Sequence, residues 1–225
     1  MGRLDYHPKA RYMSINAFAR KYGVSFTVNH TGKMEGMISL STSPIRNTYC
    51  QKRSKCENTI CHHCYALNMA LMFGSLADRL SKNYDVLTKT LIPVEEWPVL
   101  NARYVRLESF GDLQTVTQFK NYVNLCKRNP ASSFALWTKN YAIVRKAVES
   151  GTEKPKNLIV IVSSPLVNVE SDLSAYPLAD KTFTVYATSY AREHGVAINC
   201  GGRACLTCGR CYRKRGNAEV RELLK

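Results

Sequence analysis

No apolar stretch in this chain approaches the ~20 residues needed to cross a bilayer. The longest candidates are Leu158 to Val162 and the interrupted run from Tyr65 to Phe73. The N-terminus, MGRLDYHPKARYM, lacks the apolar core of a secretory signal. Glycine (12) and proline (8) are ordinary in number and form no rich tract, so nothing marks a linker. Internal repeats and low-complexity segments are missing as well. Acidic residues are scarce: 17 Asp and Glu stand against 32 Lys and Arg, a net charge of +15 in 225 residues. An apolar fraction of 45% with 22% charged residues excludes a disordered chain. Nine cysteines fall well below the roughly 8–10% of a disulfide-stapled mini-protein. The expectation is a single cytoplasmic domain over 1–225 with no membrane contact. It has an N-terminal helical extension (1–35) and a Cys-rich C-terminal segment (200–225). In a reducing compartment its cysteines call for metal or redox chemistry before disulfides.

Charge and cysteine are both concentrated at the ends. Residues 1–60 carry +7 and residues 200–225 carry +5, leaving +3 for everything between. Eight cysteines lie in or beside the same ends: Cys50, Cys56, Cys61 and Cys64, then Cys200, Cys205, Cys208 and Cys211. The ninth, Cys126, falls on the apolar face of a helix and reads as a small buried hydrophobe.

Local pattern supplies the elements. Ser14 to Tyr22 reads as a capped helix, with Ser14 before it and Gly23 after it. Residues 37–42 read as a strand, followed by a polar, basic loop carrying the first cysteines. Helices are expected from Cys64 to Phe73 and from Leu76 to Leu91. Strands at 103–107, 133–138, 157–162 and 182–188 then alternate with helices at 113–128 and 141–148. A short strand at 196–199 and a terminal helix over Arg213 to Leu224 close the chain. NLIVIV, apolar throughout, suits a strand buried on both faces.

Alternation of this kind implies an α/β fold with five or six mostly parallel strands. That is too few for a complete eight-stranded barrel, which leaves a partial (open) β/α barrel or a doubly wound sheet. Either architecture puts its site at the strand C-terminal ends. Glu108, Ser109 and Asp112, then Thr138, Lys139 and Asn140, then Ser163 and Ser164, then Ser189 and Tyr190 fall there. Glu108, Asp112, Thr138 and Lys139 are the catalytic candidates. Both cysteine groups are expected at that face, as neighbours.

The first group is C-x5-C-x4-C-x2-C and the second C-x4-C-x2-C-x2-C. Three cysteines at x2 spacing let thiolates converge on one centre among backbone N–H groups. Such a run fits an iron–sulfur cluster of the [4Fe–4S] type better than one tetrahedral zinc ion; zinc is the alternative. All eight cysteines are candidate ligands. His62 and His63, between Cys61 and Cys64, read as solvated loop residues.

The basic excess invites a nucleic-acid partner. Lys52, Arg53 and Lys55 lie near Tyr49, and Arg210, Arg213, Lys214 and Arg215 surround Tyr212. Basic groups contact phosphate and aromatic rings stack on bases. Two four-thiolate centres at −2 each would offset only part of the +15.

Four stretches give the chain a resemblance to the phage-associated gene product 88 family: MISLSTSPIRNTYC, CHHCYA, VRLESFGDL with FALWTKN, and CLTCGRCY. Together they cover residues 35–212. The resemblance implies a relative of the radical-SAM partial barrels, and host cell cytoplasm as the location. It also brings in S-adenosylmethionine as a cofactor candidate, against which three departures stand. The spacing from Cys56 to Cys61 is x4 rather than x3. Cys50 is available to close the open iron site. Arg106-Leu107-Glu108-Ser109 stands where the family comparison calls for a Gly-Gly-acidic motif. Two functions therefore compete: an iron–sulfur protein performing redox or radical-type chemistry, and a non-enzymatic metal-stabilised module that binds nucleic acid.

Overall fold

The computed structural model describes residues 12–224; the first eleven residues of the expected N-terminal extension lie outside them. Helix α1 (Ile15–Tyr22) is capped as its sequence dictates. The Ser14 hydroxyl accepts from the Ala17 N–H at 3.2 Å, and Gly23 closes the helix in the left-handed region. A short strand β1 (Thr27–Val28) pairs antiparallel with β2 (Ile38–Leu40). Three helices follow: α2 (Thr48–Ser54), α3 (Tyr65–Met72) and α4 (Gly74–Leu87). Then come β3 (Tyr104–Leu107), α5 (Val116–Arg128), β4 (Ser133–Thr138), α6 (Tyr141–Glu149), β5 (Leu158–Ser163) and β6 (Lys181–Tyr186). Helices α7 (Thr188–Glu193) and α8 (Cys205–Cys208) precede the last strand, β7 (Glu219–Leu223).

The seven strands form one open sheet in chain order, and β2 to β7 all run parallel. The order never reverses, so the doubly wound alternative, which turns on such a reversal, does not apply. Among the described residues no helix is long and apolar enough to cross a membrane.

Alternation assigns the two faces. Val105, Leu107, Phe134, Leu136, Leu158 and Val160 join Phe119, Tyr122 and Val123 of α5 and Val144 of α6 in the main core. Their neighbours Tyr104, Ala135, Ile159 and Ile161 face the other way. A parallel sheet must be covered on both faces, and on this second face the cover is the Cys-rich segment. Tyr212 stacks on Tyr104 with ring centroids 4.7 Å apart, and Trp137, Leu206, Cys205 and Cys211 pack around the pair. Strand β5 is buried along its whole length, as its unbroken apolar run implies.

Two terminal elements depart from the sequence reading. Residues 213–224 form no helix; Glu219–Leu223 is strand β7, paired with β6. The edge of β6 offers a row of backbone partners, and that tertiary pairing outweighs a local pattern that suits a helix. Residues 196–199 form no strand; the segment is tied to β7 through the Asn199 and Cys200 N–H groups, both bonded to the Arg221 carbonyl. Helix α2 was expected as loop. Asn47 creates it by accepting from the Tyr49 and Cys50 N–H groups. Cys126 is fully buried on α5, as its apolar position implies.

Gly209 tests the docking of the Cys-rich segment. It sits at φ 57°, and a Cβ there would stand 2.6 Å from the Tyr104 hydroxyl. Gly195, at φ 61°, has open space around it. Both Ala substitutions carry the left-handed penalty of ~1–2 kcal/mol, but only Gly209→Ala adds a further ~1–3 kcal/mol of overpacking. Urea unfolding should therefore place Gly209→Ala clearly below Gly195→Ala in stability.

Candidate metal centre and the strand-end site

The first cysteine group lies at the C-terminal ends of the strands, as the topology requires. The Asn47 side chain donates to the Asp112 carbonyl at 2.7 Å, fixing the start of α2 and with it Cys50. The following loop crosses to the far side of the sheet, where the Ile60 N–H bonds the Pro165 carbonyl at 2.8 Å. Cys64 then caps α3, and the Tyr65 hydroxyl donates to the Ser109 carbonyl at 2.5 Å. Cys50 feels the charges of Cys61, Cys64, Glu108 and Asp112, and Cys61 those of Cys64, Asp112 and Lys139. Burial pushes both thiols up. Cys56 is exposed, its sulfur 3.5 Å from the Lys52 carbonyl. Cys50 is thus within electrostatic reach of Cys61 and Cys64, although among the described residues these thiols do not converge on one point. His62 and His63 are exposed, consistent with solvated loop residues.

Glu108 and Asp112 are buried, at 3% and 5% exposure. Simple alternation would send the Glu108 side chain the way of Arg106. Instead Glu108 adopts φ 54°, which carries its carboxyl to the helix side of the sheet. There it accepts from the Thr42 N–H and hydroxyl, from Gln118 at 2.8 Å, and from the Tyr122 hydroxyl. A left-handed non-glycine residue costs ~1–2 kcal/mol, which this set of donors offsets. Gly111 makes room: a Cβ there would lie 2.7 Å from the Thr42 carbonyl. Asp112 accepts from the Thr138 hydroxyl at 2.5 Å and from the Leu113 and Lys139 N–H groups. Of the four catalytic candidates, Glu108, Asp112 and Thr138 are therefore buried and mutually supporting. Lys139 is half-buried.

The second group is gathered more fully. Cys200, Cys205, Cys208 and Cys211 all line one cavity of about 390 Å3, together with Lys33, Gly201, Gly202 and Gly209. Of the cations that act on its thiols, Lys33 lines the cavity. The Lys33 ammonium lies 3.5 Å from the Cys200 sulfur and 2.6 Å from Glu222. Arg106 acts on Cys205 and Cys211, and Lys181 is coupled to Cys211. Burial still pushes the Cys211 thiol up to about 12. Among the described residues no three Cys, His, Asp or Glu side chains are close enough together to hold one metal ion. The four cysteines ring a space instead of meeting at a point.

A family model described as gene product 88 matches residues 19–208. The chain belongs to that family. No curated protein and no solved structure matches it. The matched range takes in the first cysteine group, the whole strand-end site and three of the four C-terminal cysteines.

The basic residues are divided in their engagements. Arg53 stacks on Tyr49 at 5.6 Å. Arg210 donates to the Asn199 carbonyl and Arg213 to the Gly209 and Cys208 carbonyls, so both brace the second cysteine group. Lys214 lies 3.6 Å from Asp180. Lys52, Lys55 and Arg215 are exposed. Arg106, Trp137 and Lys33 did not stand out as site residues in the sequence. The period-2 alternation of RYVRL and SFALWTK would have put Arg106, Trp137 and Lys139 on one face.

Glu108 sets a pH dependence. Burial raises its pKa to about 8, from an ordinary 4.5. The folded chain then binds more protons than the unfolded chain between those values, so stability falls as pH rises from about 4.5 to about 8. Glu108→Gln, permanently neutral, should flatten that fall. Urea midpoints of both proteins at several pH values across the window would check it; parallel profiles would refute it.

Proposed function

We propose that this member of the gene product 88 family is an iron–sulfur protein performing redox or radical-type chemistry on a radical-SAM-like partial barrel. The observation that carries the reading is the ring of Cys200, Cys205, Cys208 and Cys211 around one cavity. A single zinc ion draws four sulfurs to ~2.3 Å from one point. A [4Fe–4S] cluster attaches its ligands at separate corners and needs the space between them. A four-thiolate cluster carries net negative charge, which Lys33, Arg106 and Lys181 complement. Cys50, Cys61 and Cys64 would hold a second cluster beside Glu108, Asp112 and Lys139, with Cys56 the more remote candidate. A bound cluster supplies one-electron chemistry; the chain orients it, excludes water and balances its charge.

The barrel reading draws support from the sheet edges. Five strand spacings put β2 and β7 roughly 24 Å apart if the sheet were flat. Yet Lys33, in the β1–β2 connection, contacts Glu222 of β7, and Gly36 meets Leu206. Strong curvature around the Cys-rich segment accounts for both contacts. S-adenosylmethionine would need an open iron. Cys50, within electrostatic reach of Cys61 and Cys64, is available to close the site, which would leave that cluster to electron transfer or structure.

The second reading, a metal-stabilised nucleic-acid-binding module with zinc or a cluster, rests on the exposure of Lys52, Lys55 and Arg215 beside the two groups. Anaerobic purification with iron, sulfide and zinc analysis separates the two. The expected result is a brown protein with about four to eight irons per chain. Ser replacement of Cys205, Cys208 and Cys211 should remove one cluster's share and leave the rest. A colourless protein with stoichiometric zinc would reject the iron–sulfur reading.

A further inference from the structure

The face of the sheet that carries the Cys-rich segment holds two cations, Arg106 and Lys139, outside any salt bridge among the described residues. Arg106 on β3 lies flat over Trp137 on β4, its guanidinium carbon 3.2 Å from the ring centroid. Its Nε is buried and has no hydrogen-bond partner. Lys139 follows β4 on the same face, two residues beyond Trp137, and only its main-chain N–H is engaged, by Asp112. Lys139 acts on Asp112 and Cys61, and Arg106 on Cys205 and Cys211, but among the described residues neither side chain forms a salt bridge. The Ser109 hydroxyl, at the end of β3, is likewise buried and without a partner. Tyr65 links these groups. Its hydroxyl donates to the Ser109 carbonyl, and it lies within electrostatic reach of both Arg106 and Lys139.

A buried guanidinium N–H on β3 and a buried hydroxyl just past its end, both without a partner, are costly to maintain unless something binds there. We infer that Arg106, Lys139 and Ser109 form a binding site for a phosphate monoester, at the strand ends between the two cysteine groups. Two positive charges match the roughly −1.5 to −2 charge of a phosphate monoester near neutral pH. A carboxylate would answer only one of them. The arginine is held as a flat fork by Trp137, which suits two parallel N–H to oxygen bonds; Lys139 adds a point charge, and the Ser109 hydroxyl a third donor. The Tyr65 side chain, 60% exposed beside these groups, offers a flat apolar surface to whatever the phosphate is attached to. The site uses no cysteine as a ligand to the phosphate, so its test does not depend on iron being bound.

The test uses the full-length reduced protein, with iron measured in parallel. Inorganic phosphate, AMP, ribose 5-phosphate and acetate are titrated by calorimetry. Trp137 fluorescence is followed alongside; the only other tryptophan, Trp97, is fully buried elsewhere in the core. Saturable binding of phosphate and of both esters, with acetate at least tenfold weaker, is the expected result. Arg106→Gln and Lys139→Gln should each weaken AMP by about tenfold or more. Arg106→Lys, which keeps the charge and much of the stacking, should recover part of that loss. AMP binding tighter than ribose 5-phosphate assigns a nucleotide to the site; equal affinities assign a sugar phosphate. No saturable phosphate binding by the wild type would overturn the inference. So would acetate binding as tightly as phosphate, or unchanged AMP affinity in a folded Arg106→Gln or Lys139→Gln variant.

Discussion

The stack of Tyr212 on Tyr104 is the contact on which the arrangement of this protein turns. A parallel sheet cannot leave one face wet, because its strands are apolar on both sides. Helices α5 and α6 cover one face with large aliphatic and aromatic side chains. The other face has only Tyr104, Ala135, Ile159 and Ile161 to offer, and the segment from Cys205 to Tyr212 lies across them. Gly209 lets the backbone come down onto the Tyr104 ring. The cover and the cysteine cavity are thus one object: the residues that bury the sheet also set the four sulfurs around their shared space.

The charge distribution follows from this. A cavity lined by thiols would be a poor place for a cation if the thiols stayed neutral, and burial raises the pKa values of Cys200, Cys205 and Cys211. Lys33 nonetheless lines the cavity with its ammonium 3.5 Å from the Cys200 sulfur, and Arg106 acts on Cys205 and Cys211. At the rim, the carboxyl pair Glu108 and Asp112 is treated in the opposite way. Each is held by neutral donors, and the left-handed backbone at Glu108 removes its carboxyl from the open face. Arg106 Nε on β3 and the Ser109 hydroxyl at its end are left buried without a partner.

Much of the helix and strand pattern was legible in sequence. The 3.6-residue period of α5 and the unbroken run of β5 leave little choice of element. The cap at Ser14 and Gly23 was legible because both ends of a helix announce themselves through local hydrogen-bonding groups. The terminal strand β7 was not, because its 213–224 sequence pattern suits a helix and only the free edge of β6 decides otherwise. Helix α2 was hidden in the same way: its sequence is polar, and it exists because Asn47 both caps it and reaches across to Asp112. The candidate carboxylates were placed at the right end of the right strands. Which way each one points was invisible, since one residue at positive φ reverses the alternation that a strand pattern assumes.

By itself, the sequence determined an α/β chain with a parallel sheet, two cysteine groups at its basic ends and membership of one family, because periodicity, spacing and composition are local properties. Only the tertiary structure decided that the second cysteine group lines one cavity, that the Glu108 carboxyl turns to the helix side, and that Arg106 lies over Trp137 with a buried Nε left without a partner. Those facts depend on which distant segments meet, and that is set by the need to cover both faces of the sheet, a requirement no short stretch of sequence carries.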